Sequence, residues 1–252
     1  MVATKAGRRL NPHIAEGYSK ANLEGFIDRS LKNLSVDSLD LVQLHCPPRE
    51  VFYQPEVFEG LDALQTAGKI KGYGVSVEKV EDGLKAIEYP GVVSIQIIYN
   101  IFRQRPDHLF FAEARRRNVA IIARVPLASG LLSGKITRET HFASDDHRNF
   151  NRHGEAFDVG ETFAGRAIRG RACRLWKRCA SWCPPAGPWP PFALRWILMS
   201  DAVTVVIPGA RNGEQAKANA AAADLAPLSA DVMAATREIY ARLIAPHVHQ
   251  RW

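Results

Sequence analysis

Short apolar runs alternate along the chain with stretches in which apolar residues recur every three or four positions. Runs that are apolar at successive positions predict strands covered on both faces. Six such runs predict strands at residues 1–5, 39–45, 70–76, 92–99, 119–125 and 203–207. The stretches between them predict helices, of which residues 20–34 are the clearest, because Leu23, Ile27 and Leu31 lie on one helical face.

Strands and helices that alternate at this spacing predict βαβ units and a parallel sheet. A doubly wound sheet is possible, but no Gly-x-Gly-x-x-Gly follows any strand, so its usual dinucleotide-binding motif is missing. A barrel binds its ligands at the carboxyl ends of its strands without that motif. We therefore favour an α/β barrel, in which two of the usual eight strands are unaccounted for.

Length and composition are those of an ordinary globular protein. The chain has 252 residues and is 46% hydrophobic, which suits one large core, so we expect a single domain over residues 1–252. No run approaches the ~20 apolar residues of a membrane span, and no leader-like segment opens the sequence. We expect a cytoplasmic protein with no membrane partner.

The formal charge of +7 is concentrated in one place. Six basic residues fall within residues 166–178, a stretch without Asp or Glu, and basic and acidic residues nearly balance in the rest of the chain. Because the positive charge is local, we expect no nucleic-acid partner for the chain as a whole.

The segment 166–191 is anomalous within the single domain. It holds three of the four cysteines and three of the five tryptophans, has no helical period, and contains prolines that break helices. One alternative for this segment is a metal-binding knuckle built on Cys173, Cys179 and Cys183, and another is a basic, tryptophan-rich arm that binds nucleic acid. The spacing of the cysteines is not that of zinc sites, so no metal site is predicted. We favour a shifted reading frame: with suitable codons, a two-base shift across residues 175–191 encodes an amphipathic helix.

Lys5 and His45 stand at the ends of two of the apolar runs. A polar residue at the carboxyl end of a parallel barrel strand is where barrel enzymes keep their chemistry. Reduction of a carbonyl by hydride needs groups that polarise the oxygen and supply a proton, and an ammonium and an imidazole suit these tasks. An ordinary surface lysine and a strand-end histidine are the alternatives.

Six stretches in order, residues 2–5, 38–45, 72–76, 95–100, 126–135 and 207–211, resemble the aldo-keto reductase family. The resemblance implies a (β/α)8 TIM barrel and NADPH-dependent reduction of a small aldehyde or ketone to an alcohol by hydride transfer. By position, the six strands match the third to eighth of that barrel, which leaves it incomplete, with the first two βα units missing.

By the same resemblance, Lys5 and His45 match the family's catalytic lysine and histidine. The family pairs them with an Asp and a Tyr that precede the lysine strand, where this chain has no residues, and a lost general acid costs about 10²- to 10⁴-fold in rate. We therefore expect impaired activity. The alternatives are a non-catalytic NADPH-binding pseudoenzyme and a basic interaction module built on residues 166–191.

The resemblance also implies an NADP(H) site. Ser76 and Gln96 match contacts to the nicotinamide carboxamide, Arg211 matches the contact to the 2′-phosphate, and Gln215 and Asn219 match adenine contacts. The full implied set is Ser76, Gln96, Arg124, Pro126, Leu127, Ser129, Gly130, Leu131, Gly209, Ala210, Arg211, Gln215 and Asn219.

Two positions depart from the family pattern. Arg124 stands where many relatives have an aromatic residue that stacks on the nicotinamide, and Val77 replaces an Asn that often follows the strand serine. The polar loop 145–153 could cover a bound cofactor or lie exposed, and the tail 247–252 could reach a substrate or form a loose terminus.

Overall fold

The computed structural model describes residues 1–136, 140–151, 154, 156–157 and 189–251. Within them the strands are β1 (Ala3–Ala6), β2 (Leu41–His45), β3 (Tyr73–Ser76), β4 (Val92–Ile98), β5 (Ala120–Arg124) and β6 (Val203–Val206). The helices are α1 (Lys20–Leu34), α2 (Pro55–Thr66), α3 (Val80–Ala86), α4 (Phe110–Arg116), α5 (His147–Phe150), α6 (Trp189–Leu198), α7 (Gly213–Ala221), α8 (Ala230–Leu243) and α9 (Ala245–Val248).

The strands form one parallel sheet in the order β1-β2-β3-β4-β5-β6. Sequential order with a helix after each of the first four strands is the signature of repeated βαβ units. The predicted α/β class and the six predicted strands are therefore confirmed. The absence of two further βα units and the single domain over residues 1–252 stay predictions.

Contacts divide the chain into two compact units. The first comprises Met1–Ile97 and Leu109–Ile121, and the second comprises Ile98–His108 and Ile122–Trp252. In the first unit, the buried face of α1 carries Leu23 and Ile27, as its apolar period predicts. Ser19 caps the start of α1 by accepting a hydrogen bond from the Asn22 backbone N–H, so the helix begins where the sequence indicates.

The second unit has its core around α6 and α8. The indole Nε1–H of Trp196 donates to Thr236 Oγ1 over 2.7 Å, and the ring of Tyr99 lies 5.1 Å from that of Trp196. Near the chain end, Tyr240 Oη and His249 Nδ1 are 2.8 Å apart. Residues 245–251 are helical, and the two predicted alternatives for the tail stay open.

The described part of α6 begins at Trp189. Trp189, Pro190 and Pro191 form its first turn, although the sequence had assigned them to the anomalous segment. Proline is tolerated there because the first turn of a helix does not need its backbone N–H groups. The last three residues of the anomalous segment thus belong to α6, and the remainder, with its three cysteines, lies outside the described residues, so the segment and its shifted-frame hypothesis stay predictions.

Candidate active site

Predicted site residues lie side by side at the carboxyl ends of β1 to β4. Lys5 is paired with Gln43, His45 with Ser76, and Ser76 with Gln96. Paired residues of neighbouring strands share a face of the sheet, and His45 shares the face of Gln43 because it follows two positions later. The four predicted residues Lys5, His45, Ser76 and Gln96 therefore share one face.

A buried polar chain supports this face. Gln96 Nε2 donates to Gln43 Oε1 over 2.8 Å, and Gln43 Nε2 lies 3.4 Å from Ser94 Oγ. All three side chains are buried, so their mutual hydrogen bonds replace contact with water. Sequence reasoning missed Gln43, although its spacing of two residues from His45 is a signal that could have found it.

Lys5 and His45 line one cleft of about 460 Å³. Its walls are β1 with the residues that follow it, the second half of α1, and His45 at the end of β2. An ammonium and an imidazole therefore face the same space. Three guanidinium groups, those of Arg8, Arg9 and Arg29, line the same cleft, and the sequence reasoning had not singled them out.

A second, smaller cleft of about 220 Å³ lies at the ends of the same strands, with Arg8, Cys46 and Val77 in its lining. The Cys46 backbone N–H donates to the Ser76 carbonyl over 2.9 Å, and its Sγ lies 3.5 Å from Ser76 Oγ. The hydroxyl of Ser76, a predicted cofactor contact, therefore lies at the thiol of Cys46. Val77 holds the end of β3 by donating its N–H to the carbonyl of Gln96.

Tyr18 and His13 form a hydrogen-bonded pair in the loop after β1. Tyr18 Oη lies 2.8 Å from His13 Nε2. Burial raises the pKa of Tyr18 well above its usual value, and burial together with the charge of Arg8 lowers the pKa of His13. Tyr18 therefore keeps its proton and is not tuned as a proton donor. Gly7 permits this packing, because a Cβ there would lie 2.5 Å from the Tyr18 ring.

In the second unit, the loop after β5 makes a tight turn over Ala128–Ser133. Asn100 anchors its start, since its Nδ2 donates to the Val125 carbonyl over 3.0 Å. Ser129 and Gly130 both have positive φ, and glycine adopts this conformation without strain. The predicted cofactor contacts Pro126, Leu127 and Leu131 thus belong to a turn whose backbone is kinked at Ser129 and Gly130.

The loop that was predicted to cover the cofactor packs near this turn. A Cβ added at Gly130 would lie 3.7 Å from Arg148 Nη1. Arg148 Nε donates to Asp146 Oδ1 over 2.8 Å, and this contact lowers the pKa of Asp146 to about 2. Asp146 also caps α5. The covering role stays a prediction, and residues 152 and 153 lie outside the described part.

The segment before α7 holds the remaining predicted contacts. The Arg211 backbone N–H donates to Gln215 Oε1 over 2.8 Å, and Asn219 Nδ2 donates to the Gly209 carbonyl over 3.2 Å. Gln215 and Asn219 therefore share a helical face, and both bind the loop that includes Ala210. The side chain of Arg211 is exposed beside the start of α7, which Asn212 caps.

Two kinds of site are not seen in the part of the chain that the structure describes. It contains no group of three or more His, Cys, Asp or Glu side chains placed to hold a metal ion. In the same residues, none of the helices combines the length and the apolar character needed to cross a membrane.

Comparison with known proteins gives consistent results. The model of the aldo/keto reductase family matches residues 1–241. An aldo-keto reductase, YhdN, of Bacillus subtilis is 33% identical over 133 residues, which are 52% of this chain and 39% of that protein. An aldo-keto reductase of Schizosaccharomyces pombe, yakc [NADP(+)], is 28% identical over 153 residues, which are 58% of this chain and 45% of that protein. These matches span less than half of the relatives' length.

Solved structures agree with the sequence matches. An aldo-keto reductase from Bacillus halodurans in its holo form superposes with a TM-score of 0.72 at 26% identity, over 95% of this chain and 71% of that one. The family match over nearly the whole sequence and the likeness in fold lead to the same conclusion: the chain belongs to the aldo/keto reductase family.

Proposed function

We propose that the chain reduces a small aldehyde or ketone to an alcohol with NADPH, and that Lys5 and His45 act on the carbonyl oxygen. The observation that carries the proposal is the shared cleft of these two side chains at the carboxyl ends of neighbouring strands. Family membership supports the reaction class. The Schizosaccharomyces pombe relative, whose name includes NADP(+), favours that cofactor.

The chemistry follows from where charge develops. NADPH, when bound, would supply the hydride that reduces the carbonyl carbon, and negative charge would then develop on the carbonyl oxygen. The Lys5 ammonium stabilises that charge, and the His45 imidazole donates a hydrogen bond that orients the carbonyl. The oxygen then takes its proton from solvent through His45.

The rate of this chain is expected to be low. No tyrosine among the described residues lines the cleft, and Tyr18 is buried on His13 with a raised pKa. Without a tuned phenol, proton transfer loses a general acid that is worth about 10²- to 10⁴-fold. We therefore expect measurable but slow turnover.

The donor set of the chain suits an NADP-type cofactor. Arg211 presents an exposed guanidinium next to the start of α7, and a guanidinium offers a planar fork to a phosphate dianion. Since the Gln96 amide nitrogen already donates to Gln43, the Gln96 carbonyl oxygen is the atom left to accept from a carboxamide N–H. The turn at Gly130 allows a phosphate to approach the backbone.

The test combines cofactor binding with turnover. Binding of NADPH to the unchanged chain, to Lys5→Met and to His45→Gln is measured by fluorescence titration. The oxidation of NADPH by each of these proteins is then followed with an aldehyde as substrate. We expect each variant to bind NADPH but to lose about 10²-fold or more in kcat, because each removes a group that stabilises the developing charge. Lys32→Met on the exposed side of α1 is the matched control and should behave as the unchanged chain.

Three outcomes would contradict the proposal. Binding of NADPH without turnover would favour a non-catalytic NADPH-binding protein. Absence of NADPH binding would remove the cofactor from the proposal. Full activity in Lys5→Met and His45→Gln would remove these two residues from the mechanism.

A further inference from the structure

The cleft that holds Lys5 and His45 has a strongly one-sided charge. Four of its lining side chains are cationic, Lys5, Arg8, Arg9 and Arg29, and no Asp or Glu belongs to the lining that the described residues form. A cleft built only to accept a neutral carbonyl compound has no need of three guanidinium groups beside its lysine.

Carboxylates lie near one of these guanidinium groups only across the smaller cleft, which Arg8 lines together with Glu78 and Asp82. Within the described residues, Arg8, Arg9 and Arg29 form no ion pair. Other basic residues of the same unit are paired: Lys69, for example, contacts Asp28 on α1 over 2.6 Å. Because like charges in one cleft repel, an anion that enters it gains from all of them together.

The guanidinium of Arg29 is held at the cleft by an aromatic ring. Its Cζ lies 4.7 Å from the ring centroid of Phe26, which also lines the cleft. Such a contact holds the guanidinium in place and leaves its N–H groups for a ligand. Ser30 and Asn33 add neutral hydrogen-bonding groups on the same wall of α1.

From this arrangement we infer that the preferred substrate is a small aldehyde or ketone that carries a phosphate or carboxylate group. The inference rests on the proposed function, because it assigns the carbonyl end of the substrate to Lys5 and His45. Its anionic end binds Arg8, Arg9 and Arg29, which suit planar, paired hydrogen bonds to either group. The cleft volume of about 460 Å³ lies in the range of small-molecule sites.

The first arm of the test measures anion binding without catalysis. The melting temperature is followed against inorganic phosphate and, separately, acetate at constant ionic strength. We expect a saturable rise with at least one of them, and which anion acts separates phosphate from carboxylate recognition. Arg29→Met should weaken the apparent affinity roughly tenfold, since it removes one charge-assisted contact. Lys32→Met removes the same charge from the same helix outside the cleft and should have no effect.

The second arm measures selectivity in turnover. Glyceraldehyde 3-phosphate is compared with glyceraldehyde, and glyoxylate with glycolaldehyde, as ratios of kcat/KM. We expect a ratio of about tenfold or more in favour of at least one anionic compound, and a fall of that ratio in Arg29→Met but not in Lys32→Met.

The two arms separate failure of the inference from failure of the proposed function. The inference would be overturned if glyceraldehyde and glyceraldehyde 3-phosphate were reduced with equal kcat/KM and no anion bound saturably. The proposed reductase function would still stand in that case. Anion binding that is lost in Arg29→Met, with no reduction of any carbonyl compound, would overturn the proposed function and keep the anion site.

Discussion

The hydrogen bond between Gln43 and Gln96 offers a sharp test of how the candidate site is supported. Gln43 is 2% exposed and Gln96 is 5% exposed, so neither amide can turn to bulk water when its partner is lost. Gln43→Met keeps the length of the side chain but removes the acceptor of the 2.8 Å bond from Gln96 Nε2. The Gln96 amide then stays buried without this partner.

The expected magnitude follows from the asymmetry of buried hydrogen bonds. A buried donor or acceptor that loses its partner costs about 1–3 kcal/mol, whereas replacing both partners by apolar groups of similar shape is nearly neutral. Gln43→Met and Gln96→Met should therefore each lower the free energy of unfolding by about 1–3 kcal/mol. The double variant should lose clearly less than the sum, with a coupling energy of about 1 kcal/mol or more. The 3.4 Å contact of Gln43 with Ser94 is long and adds little to this difference.

The assay is urea unfolding followed by circular dichroism for the four proteins of the cycle. In a chain of this length, 1 kcal/mol corresponds to about 2–4 °C in melting temperature, so thermal scans give a second readout. Additive losses in the double variant would refute the reasoning, because they would mean that the two amides do not depend on each other in the folded state.

Three further predictions concern packing and protonation. Gly74→Ala should lower the free energy of unfolding by about 3 kcal/mol or more, because the new Cβ would overlap Ser94 on the neighbouring strand. Gly25→Ala, at an open position in the middle of α1, should raise the free energy of unfolding by about 0.5–1 kcal/mol. Urea unfolding measures both changes. Thr236→Val should lower the free energy of unfolding by about 1–3 kcal/mol in the same assay, because it removes the hydroxyl that accepts the hydrogen bond from the Trp196 indole N–H. Burial lowers the pKa of His13, so the contribution of this residue to the free energy of unfolding is complete above pH 6.5 and is lost as the pH falls through the lower folded-state pKa. The urea midpoint should therefore drop less from pH 7.5 to 5.5 in His13→Gln than in the unchanged chain. An equal drop would contradict this prediction.

Local pattern was sufficient for the elements that bury an apolar face. The apolar period of α1 predicted the helix at its observed bounds, and the apolar run that ends at His45 predicted β2. The start of α6 was missed because Pro190 and Pro191 read as helix breakers, although the first turn accepts them.

The residue pattern alone could indicate site residues only near the carboxyl end of a strand. Lys5 and His45 could be found in that way, since parallel strands bring their carboxyl ends to one edge. Arg29 could not, because it lies on a helix and meets the cleft only through the packing of α1 beside β1. Likewise, the bond from Asn100 to the Val125 carbonyl joins residues 25 positions apart, a distance at which no local pattern operates.

The most direct measurement of the central claim is the transfer of deuterium from NADPH labelled at its hydride position to an aldehyde. We predict that the alcohol formed by the chain contains the label, and that Lys5→Met, His45→Gln and the double variant all lose a similar, large part of the rate, because the two groups act on one oxygen. An unlabelled alcohol, or a double variant that transfers the label as fast as the unchanged chain, would contradict the account.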